Sequence, residues 1–171
     1  MDLYDTIRNR RSIRAFDKKK RIEPDKLERV LEAGRLAPSA CNLQPWHFIV
    51  IEGAILRVNL KRVYKGDFLA MAPVTIVVAA DTTLAWRRGD GEEFWKVDAA
   101  IAMEHIVLAA KAEGLGTCWI AAFNEPELAK LLKLPPHIRP VVLTPLGYPA
   151  DDPGEITDRK PLEEICHRNG W

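Results

Sequence analysis

The chain has 171 residues, with 25 Lys and Arg against 24 Asp and Glu and a net charge of +1. Its 47% apolar and 29% charged content is that of a globular domain long enough for a real core, and it excludes disordered and fibrous classes. Near-zero net charge gives no global field for a polyanion such as nucleic acid. The start Met1-Asp2-Leu3-Tyr4-Asp5 has neither the basic flank nor the apolar core of a signal peptide. The longest apolar run, 68–80, contains Pro73 and is too short to span a bilayer. Cys41, Cys118 and Cys166 form no CxxC pair and read as reduced thiols. A cytoplasmic protein without nucleic-acid or membrane partners is therefore expected.

In chain order, Leu3, Tyr4 and Ile7 have helical spacing and predict a short amphipathic helix over 2–9. Ser12, Arg14 and Phe16 then alternate with Ile13 and Ala15. In an extended segment Ser12 and Arg14 share one face while Ile13 and Ala15 anchor the other. Lys18–Arg21 reads as an exposed turn. Pro24 occupies a first helical position, and Leu27, Val30, Leu31 and Leu36 carry that helix to about residue 37. The loop Pro38-Ser39-Ala40-Cys41-Asn42-Leu43-Gln44-Pro45-Trp46 follows, stiffened by its prolines and leading into a strand near 46–52.

Further elements are a helix over 54–64, a β-branched buried strand over 72–80 and an irregular stretch over 82–93. A helix from about 94 to 113 is apolar nearly all round, so it must be buried on most sides, in a core or at a subunit interface. Gly114 and Gly116 end it, and 117–120 reads as a strand. Asn124 with Glu127 makes a capping-box start to a helix reaching about residue 132. Residues 140–146 form the last core strand, and 149–171 a polar arm. The whole, 1–171, reads as one α+β or α/β layered domain, with a twofold homodimer as the default assembly for its surplus apolar surface.

The chain holds only two serines, Ser12 and Ser39, and one glutamine, Gln44. All three fall in the segments with the most distinctive chemistry. Arg10-Arg11-Ser12-Ile13-Arg14 offers planar guanidinium donors and a hydroxyl suited to phosphate. The plain alternative is a solvated basic surface, and the interleaved Ile13, Ala15 and Phe16 favour the former. Ser39, Asn42 and Gln44 could hydrogen-bond the edge of a heterocycle, or simply bond their own backbone in a turn.

Other chemistries lack support. No GxGxxG or Walker loop occurs, and Gly114-Leu115-Gly116 is explained by a helix stop before a strand. The four histidines show no metal-ligand spacing, and neither serine lies in a GxSxG elbow. Cys118 reads as a buried strand cysteine. Asp98 reads as a carboxylate favouring a helix N-terminus.

Taken in order, Arg10–Arg14, Pro38–Trp46, Gly114-Leu115-Gly116-Thr117-Cys118-Trp119-Ile120, Leu146-Gly147-Tyr148-Pro149 and Arg159-Lys160-Pro161-Leu162 resemble the nitroreductase family of flavoproteins. The resemblance covers nearly the whole chain, as a short member. It implies an α+β sandwich, with a central, mostly antiparallel sheet flanked by helices, in an intertwined homodimer holding two FMN at the interface.

By that likeness Arg10, Arg11, Ser12 and Arg159 hold the phosphate and ribityl chain, and Arg14 lies near the pyrimidine edge. Pro38, Ser39, Asn42 and Gln44 reach the flavin from the second subunit. Trp119 belongs to the same cofactor set, and the backbone of Ile120, Ala121 and Ala122 faces the N5/O4 edge. Lys65-Gly66-Asp67 offers a further contact that the pattern does not resolve. The implied activity is transfer of hydride from NADH or NADPH to flavin N5, then to a nitroaromatic, quinone or related small-molecule acceptor in a ping-pong cycle. No protein side chain is catalytic and no metal takes part. Alternatives are a dehalogenase, an enone reductase or a flavin-consuming oxygenase of the same fold, or a flavin-binding protein without turnover. Trp86, Arg87, Arg88 and Trp95 read either as a wall over the substrate face or as plain surface.

Overall fold

The computed structural model describes residues 2–151, 154 and 158–171. Among them, strands β1 (Trp46–Ile51), β2 (Val74–Asp81), β3 (Gly116–Thr117) and β4 (Ile138–Gly147) form one sheet in the order β1-β2-β4-β3. Every neighbouring pair is antiparallel. The helices are α1 (Leu3–Asn9), α2 (Pro24–Arg35), α3 (Ala54–Asn59), α4 (Asp67–Met71), α5 (Trp95–Ala112), α6 (Glu125–Leu132) and α7 (Leu162–Ile165).

Strand β2 explains the layering. Its side chains alternate between faces, yet all but Asp81 are buried. On one face Ile76, Val78 and Ala80 pack with Val30 of α2 and with Ala99, Met103 and Ile106 of α5. On the other, Val77 joins Ile51, Leu143, Leu60, Leu69 and Leu128, under α3, α4 and α6. Covering both faces makes the strand read as a continuous apolar run, and each fully buried aliphatic side chain contributes roughly 1.5–3 kcal/mol.

Local signals set the helix ends. Pro24 is the first residue of α2, where its missing N–H costs nothing. Asn124 caps α6, its Oδ1 accepting the Glu127 N–H at 3.1 Å. No helix among the described residues is long and apolar enough to cross a membrane.

Residues 10–17 leave α1 and lie across the end of the sheet. The Ile13 N–H donates to the Thr117 carbonyl at 2.8 Å, and on the other side the Asp17 and Ala150 N–H groups donate to Tyr148 and Ala15 carbonyls at 2.9 and 3.0 Å. Its contacts are isolated bridges, Ser12 with Thr117 and Phe16 with Pro149, and not a continuous ladder, so the segment is not a regular strand. Ile13 and Phe16 are its buried anchors while Ala15 is exposed, correcting the expected Ile13–Ala15 pair.

Two glycines permit this docking. A Cβ on Gly116 would lie 2.6 Å from Ile13 Cγ1, and one on Gly147 would lie 2.8 Å from Pro73 and 3.0 Å from Phe16. Gly114, at φ +77, is the helix stop; Gly116 is there for contact. Tyr148, next to Gly147, donates to Glu23 Oε2 at 2.6 Å and accepts from Lys26 Nζ at 2.9 Å, tying this corner to α2.

The expected 117–120 strand is shorter than its pattern. Only Gly116 and Thr117 pair, and Ile120 returns as a single bridge to Leu143. Cys118 is buried, as its context suggested.

Several large apolar side chains stay exposed. Leu3, Tyr4 and Ile7 of α1 are 62%, 77% and 50% exposed, Val97 of α5 is 46% exposed, and Trp119 and Leu36 are exposed too. In the arm, Leu162, Ile165 and Trp171 are exposed.

Candidate functional site

Arg10, Ser12 and Arg14 form a receptive patch. Ile13 is buried and Ser12 and Arg14 are turned outward, as alternation predicts. Among the described residues no carboxylate pairs with Arg10 or Arg14. The Arg14 guanidinium lies 5.9 Å from the Phe68 ring centroid, which orients it while leaving its N–H donors unused. Arg11 is different: its Nε donates to the Gly154 carbonyl at 2.7 Å, and Nη1 reaches the Arg8 and Arg10 carbonyls at 3.4 and 3.3 Å. Arg11 therefore fastens the arm. Arg159 donates to its own neighbour, the Asp158 carbonyl, at 2.8 Å and lies on the exposed arm.

Tyr64, which packs edge-on to Phe68 at 5.5 Å, helps line a cavity of about 520 Å³ together with Arg62, Val63, Lys65, Ala122, Phe123 and Asn124. Asp67 is engaged by Lys61 at 2.9 Å. Of Lys65, Gly66 and Asp67, Lys65 is the one that lines this cavity. The Ile120 backbone is consumed in the sheet, its N–H donating to Leu143 O at 2.9 Å and its carbonyl accepting from Leu143 N at 3.0 Å. It has no free donor for a ligand edge. The exposed Ala121 and Ala122 N–H groups have no acceptor among the described residues. Trp119 lies over α5, its Nε1 donating to Glu104 at 3.1 Å.

The loop before β1 is a strained turn. Cys41, Asn42 and Gln44 have φ of 49°, 55° and 50°, a left-handed conformation unfavourable for non-glycine residues. Ser39 Oγ accepts the Gln44 N–H at 2.9 Å, and Gln44 Nε2 donates to Asn42 O at 3.2 Å. Part of the loop's polar capacity thus serves its own shape, and the Asn42 side-chain amide has no partner among the described residues. The sequence missed one contact of this loop. Asp98 does sit in the first turn of α5, but its Oδ1 also accepts the Ala40 N–H at 3.0 Å. Nothing in the local sequence pairs residue 98 with residue 40.

A profile of the nitroreductase family matches residues 7–65 and 56–148, two overlapping segments that span most of the chain and include both polar segments. The protein belongs to the nitroreductase family. A solved nitroreductase family protein from Clostridium difficile 630 superposes with a TM-score of 0.93 at 28% identity, over 100% of each chain. An FMN-dependent nitroreductase from Clostridium difficile R20291 is 30% identical, with a TM-score of 0.86 over 98% of this chain and 99% of that one. Among curated relatives, a Thermus thermophilus NADH dehydrogenase is 29% identical over 96% of this chain and 95% of its own length. A Thermotoga neapolitana iodotyrosine deiodinase is 28% identical over 88% and 90%.

This nitroreductase-family chain does not bring its two polar segments together. Trp46, which ends the loop, pairs with Ala80 and through it with Arg139 at one end of β4. Ser12 bridges Thr117, which pairs with Leu146 at the other end. From Arg139 to Leu146 the strand spans roughly 23 Å at ~3.3 Å per residue, and β1 and β3 are opposite edges of the sheet. The segments occupy diagonal corners.

The 82–95 stretch lies at the loop's end of the sheet. Trp86 packs edge-on to Phe94 at 5.1 Å, and Arg87 pairs with Glu93. Trp95 is only 4% exposed, its Nε1 donating to Glu93 at 3.0 Å and the Arg139 guanidinium lying 5.0 Å from its ring. Trp95 is a core anchor and offers no stacking face, which corrects its assignment to a substrate wall. Trp86 and Arg87 remain at the surface.

Proposed function

We propose that the protein is an FMN-dependent NAD(P)H oxidoreductase, a cytoplasmic homodimer with two cofactor sites at its interface. The observation that carries this reading is the diagonal separation of two polar segments, each of which still has unengaged hydrogen-bonding groups. A twofold axis can place one copy's Asn42 loop beside the other's Arg10–Arg14 patch. The open apolar surface of α1 and α5 and the exposed arm supply a reason for the copies to associate.

The residues fit the cofactor. Arg10 and Ser12 offer donors, unpaired among the described residues, for a phosphate and polyol, and Ala122 and Lys65 line a cavity close to the Ala121 and Ala122 N–H groups. Bound FMN would supply the redox chemistry, accepting hydride from NADH or NADPH and passing electrons to a nitroaromatic, quinone or related acceptor in a ping-pong cycle. The chain's own part is placement and charge. The Arg14 guanidinium would stabilise negative charge at the ring edge it faces. The free amides at 121 and 122 would fix the opposite edge, and Asn42 would close the site from the partner copy. Trp86 and Arg87 would border the face left for substrates.

The direct test is a titration of purified protein with FMN, followed by anaerobic addition of NADH or NADPH. Bound flavin that is bleached by nicotinamide and recovers its colour with a quinone supports the reading. Protein that takes up no flavin overturns it, and bound flavin that nicotinamide leaves coloured supports a binding role without turnover. The deiodinase relative favours a second reading, reductive dehalogenation, decided by whether the reduced enzyme turns over iodotyrosine in preference to nitroaromatics and quinones.

A further inference from the structure

We propose that Asp98 is the positioning residue that shapes the Pro38–Trp46 loop, a role that rests on the flavin-site reading above. Asp98 is only 2% exposed. Its Oδ1 accepts the Ala40 N–H at 3.0 Å, while Oδ2 is buried without a partner. Interaction with the helix end alone does not account for this placement, because an exposed carboxylate in the same turn would provide it without losing hydration. The burial is explained if the acceptor must reach into the base of the loop.

What it holds there is strained. Cys41, Asn42 and Gln44 all take left-handed φ values, and such residues persist only where the surroundings over-determine them. The loop is closed on itself by the Gln44 N–H on Ser39 Oγ and joined to the sheet by the Asp81 N–H on Pro45 O at 2.7 Å. The Ala40–Asp98 bond is the tie to α5. Releasing it would free the first residue of the turn and with it the direction in which Asn42 is presented. Asp98 touches no cofactor in this account and acts through the loop.

Full-length Asp98→Ala and Asp98→Asn variants test this with two readouts, exchange of the Ala40 amide proton and affinity for FMN. Loss of a charge-assisted bond predicts that Asp98→Ala exchanges this amide about tenfold faster and binds FMN about tenfold more weakly. If the loop also tunes the flavin, the ratio of affinities for oxidised and reduced FMN changes, a tenfold change being ~30 mV in the two-electron potential. Asp98→Asn keeps an acceptor oxygen and should recover both properties.

Ala40→Pro deletes the same donor from the loop side, at a position where Ser39 is already extended (φ −139°, ψ 160°). It should weaken FMN binding by a similar factor even if Asp98→Ala fails to fold. Wild-type protein that binds no FMN overturns the site reading and this inference with it. Wild-type protein that binds FMN, with unchanged affinity in Asp98→Ala and Ala40→Pro, overturns the inference alone. An Asn variant as impaired as the Ala variant also overturns it.

Discussion

Replacing Gly116 by alanine probes how the phosphate-side patch is built. The added Cβ would meet Ile13 Cγ1, Cβ and Cγ2 at 2.6, 2.8 and 2.9 Å, distances that two carbons do not occupy. Gly116 lies in β3, between its pairing with Gly147 and the Thr117–Ser12 bridge, so the backbone has little room to yield. Overpacking of this kind costs about 1–3 kcal/mol. The alternative, undocking Ile13, forfeits a burial worth roughly 1.5–3 kcal/mol, so either response costs about the same. For a chain of this size each kcal/mol lowers the midpoint by ~2–4 °C. Ser12 and Arg14 flank Ile13, so displacement should also weaken FMN, tenfold for every ~1.4 kcal/mol expressed in binding. Thermal melting and flavin titration of Gly116→Ala read both effects. Ile13→Ala removes two of the three offending atoms, so the double variant should be less destabilised than the sum of the singles. A Gly116→Ala protein with wild-type melting and wild-type FMN affinity would refute the argument that this glycine exists for contact.

Arg14→Ala should weaken FMN binding and lower the flavin potential with almost no change in melting, because Arg14 is exposed and has no carboxylate partner among the described residues, its guanidinium lying 5.9 Å from the Phe68 ring; equal potentials by dye equilibration would remove it from the site. Lys65→Ala should raise the dissociation constant for FMN or the KM for an anionic acceptor, whereas Asp67→Ala, whose carboxylate is engaged by Lys61, should do neither. Glu125 is held below the usual carboxylate range by its hydrogen bond from Arg139, and Glu113 likewise by Arg29. Their stabilising contribution is therefore complete above the ordinary glutamate pKa and is lost as pH falls through the lowered folded values. Glu125→Gln should flatten that acid limb and cost only about 0.2–1 kcal/mol near neutrality, since the pair is part-exposed; urea melts from about pH 3 to about pH 7, a range that brackets the ordinary value of about 4.3, check both.

What the sequence made legible was whatever a short window can encode. Pro24 and the Asn124–Glu127 pair marked helix starts correctly, and β2 announced its burial through an unbroken apolar run. Outward Ser12 and Arg14 followed from simple alternation. What stayed hidden depends on contacts distant in the chain. Gly116 looked like punctuation because Ile13, which it accommodates, is about a hundred residues away. Trp95 looked like a substrate platform because an aromatic near arginines reads the same whether exposed or packed beneath Arg139. Ile120 matched a ligand-facing pattern, yet Leu143 takes both of its backbone groups. Asp98 has two roles, and only the local one was visible. In α1, periodicity identified an apolar face without revealing that Leu3, Tyr4 and Ile7 stay largely exposed.

The claim that one chain holds only half of each site can be tested by complementation. One variant would carry Arg10→Ala and Arg14→Ala, the other Asn42→Ala and Gln44→Ala, and each homodimer should bind FMN poorly. In a mixed dimer one interface site combines the intact patch of one chain with the intact loop of the other. FMN titration of purified mixed dimers should therefore recover one site of wild-type affinity per dimer. Mixed dimers no better than their parents, or a monomer that retains FMN, would contradict the shared site.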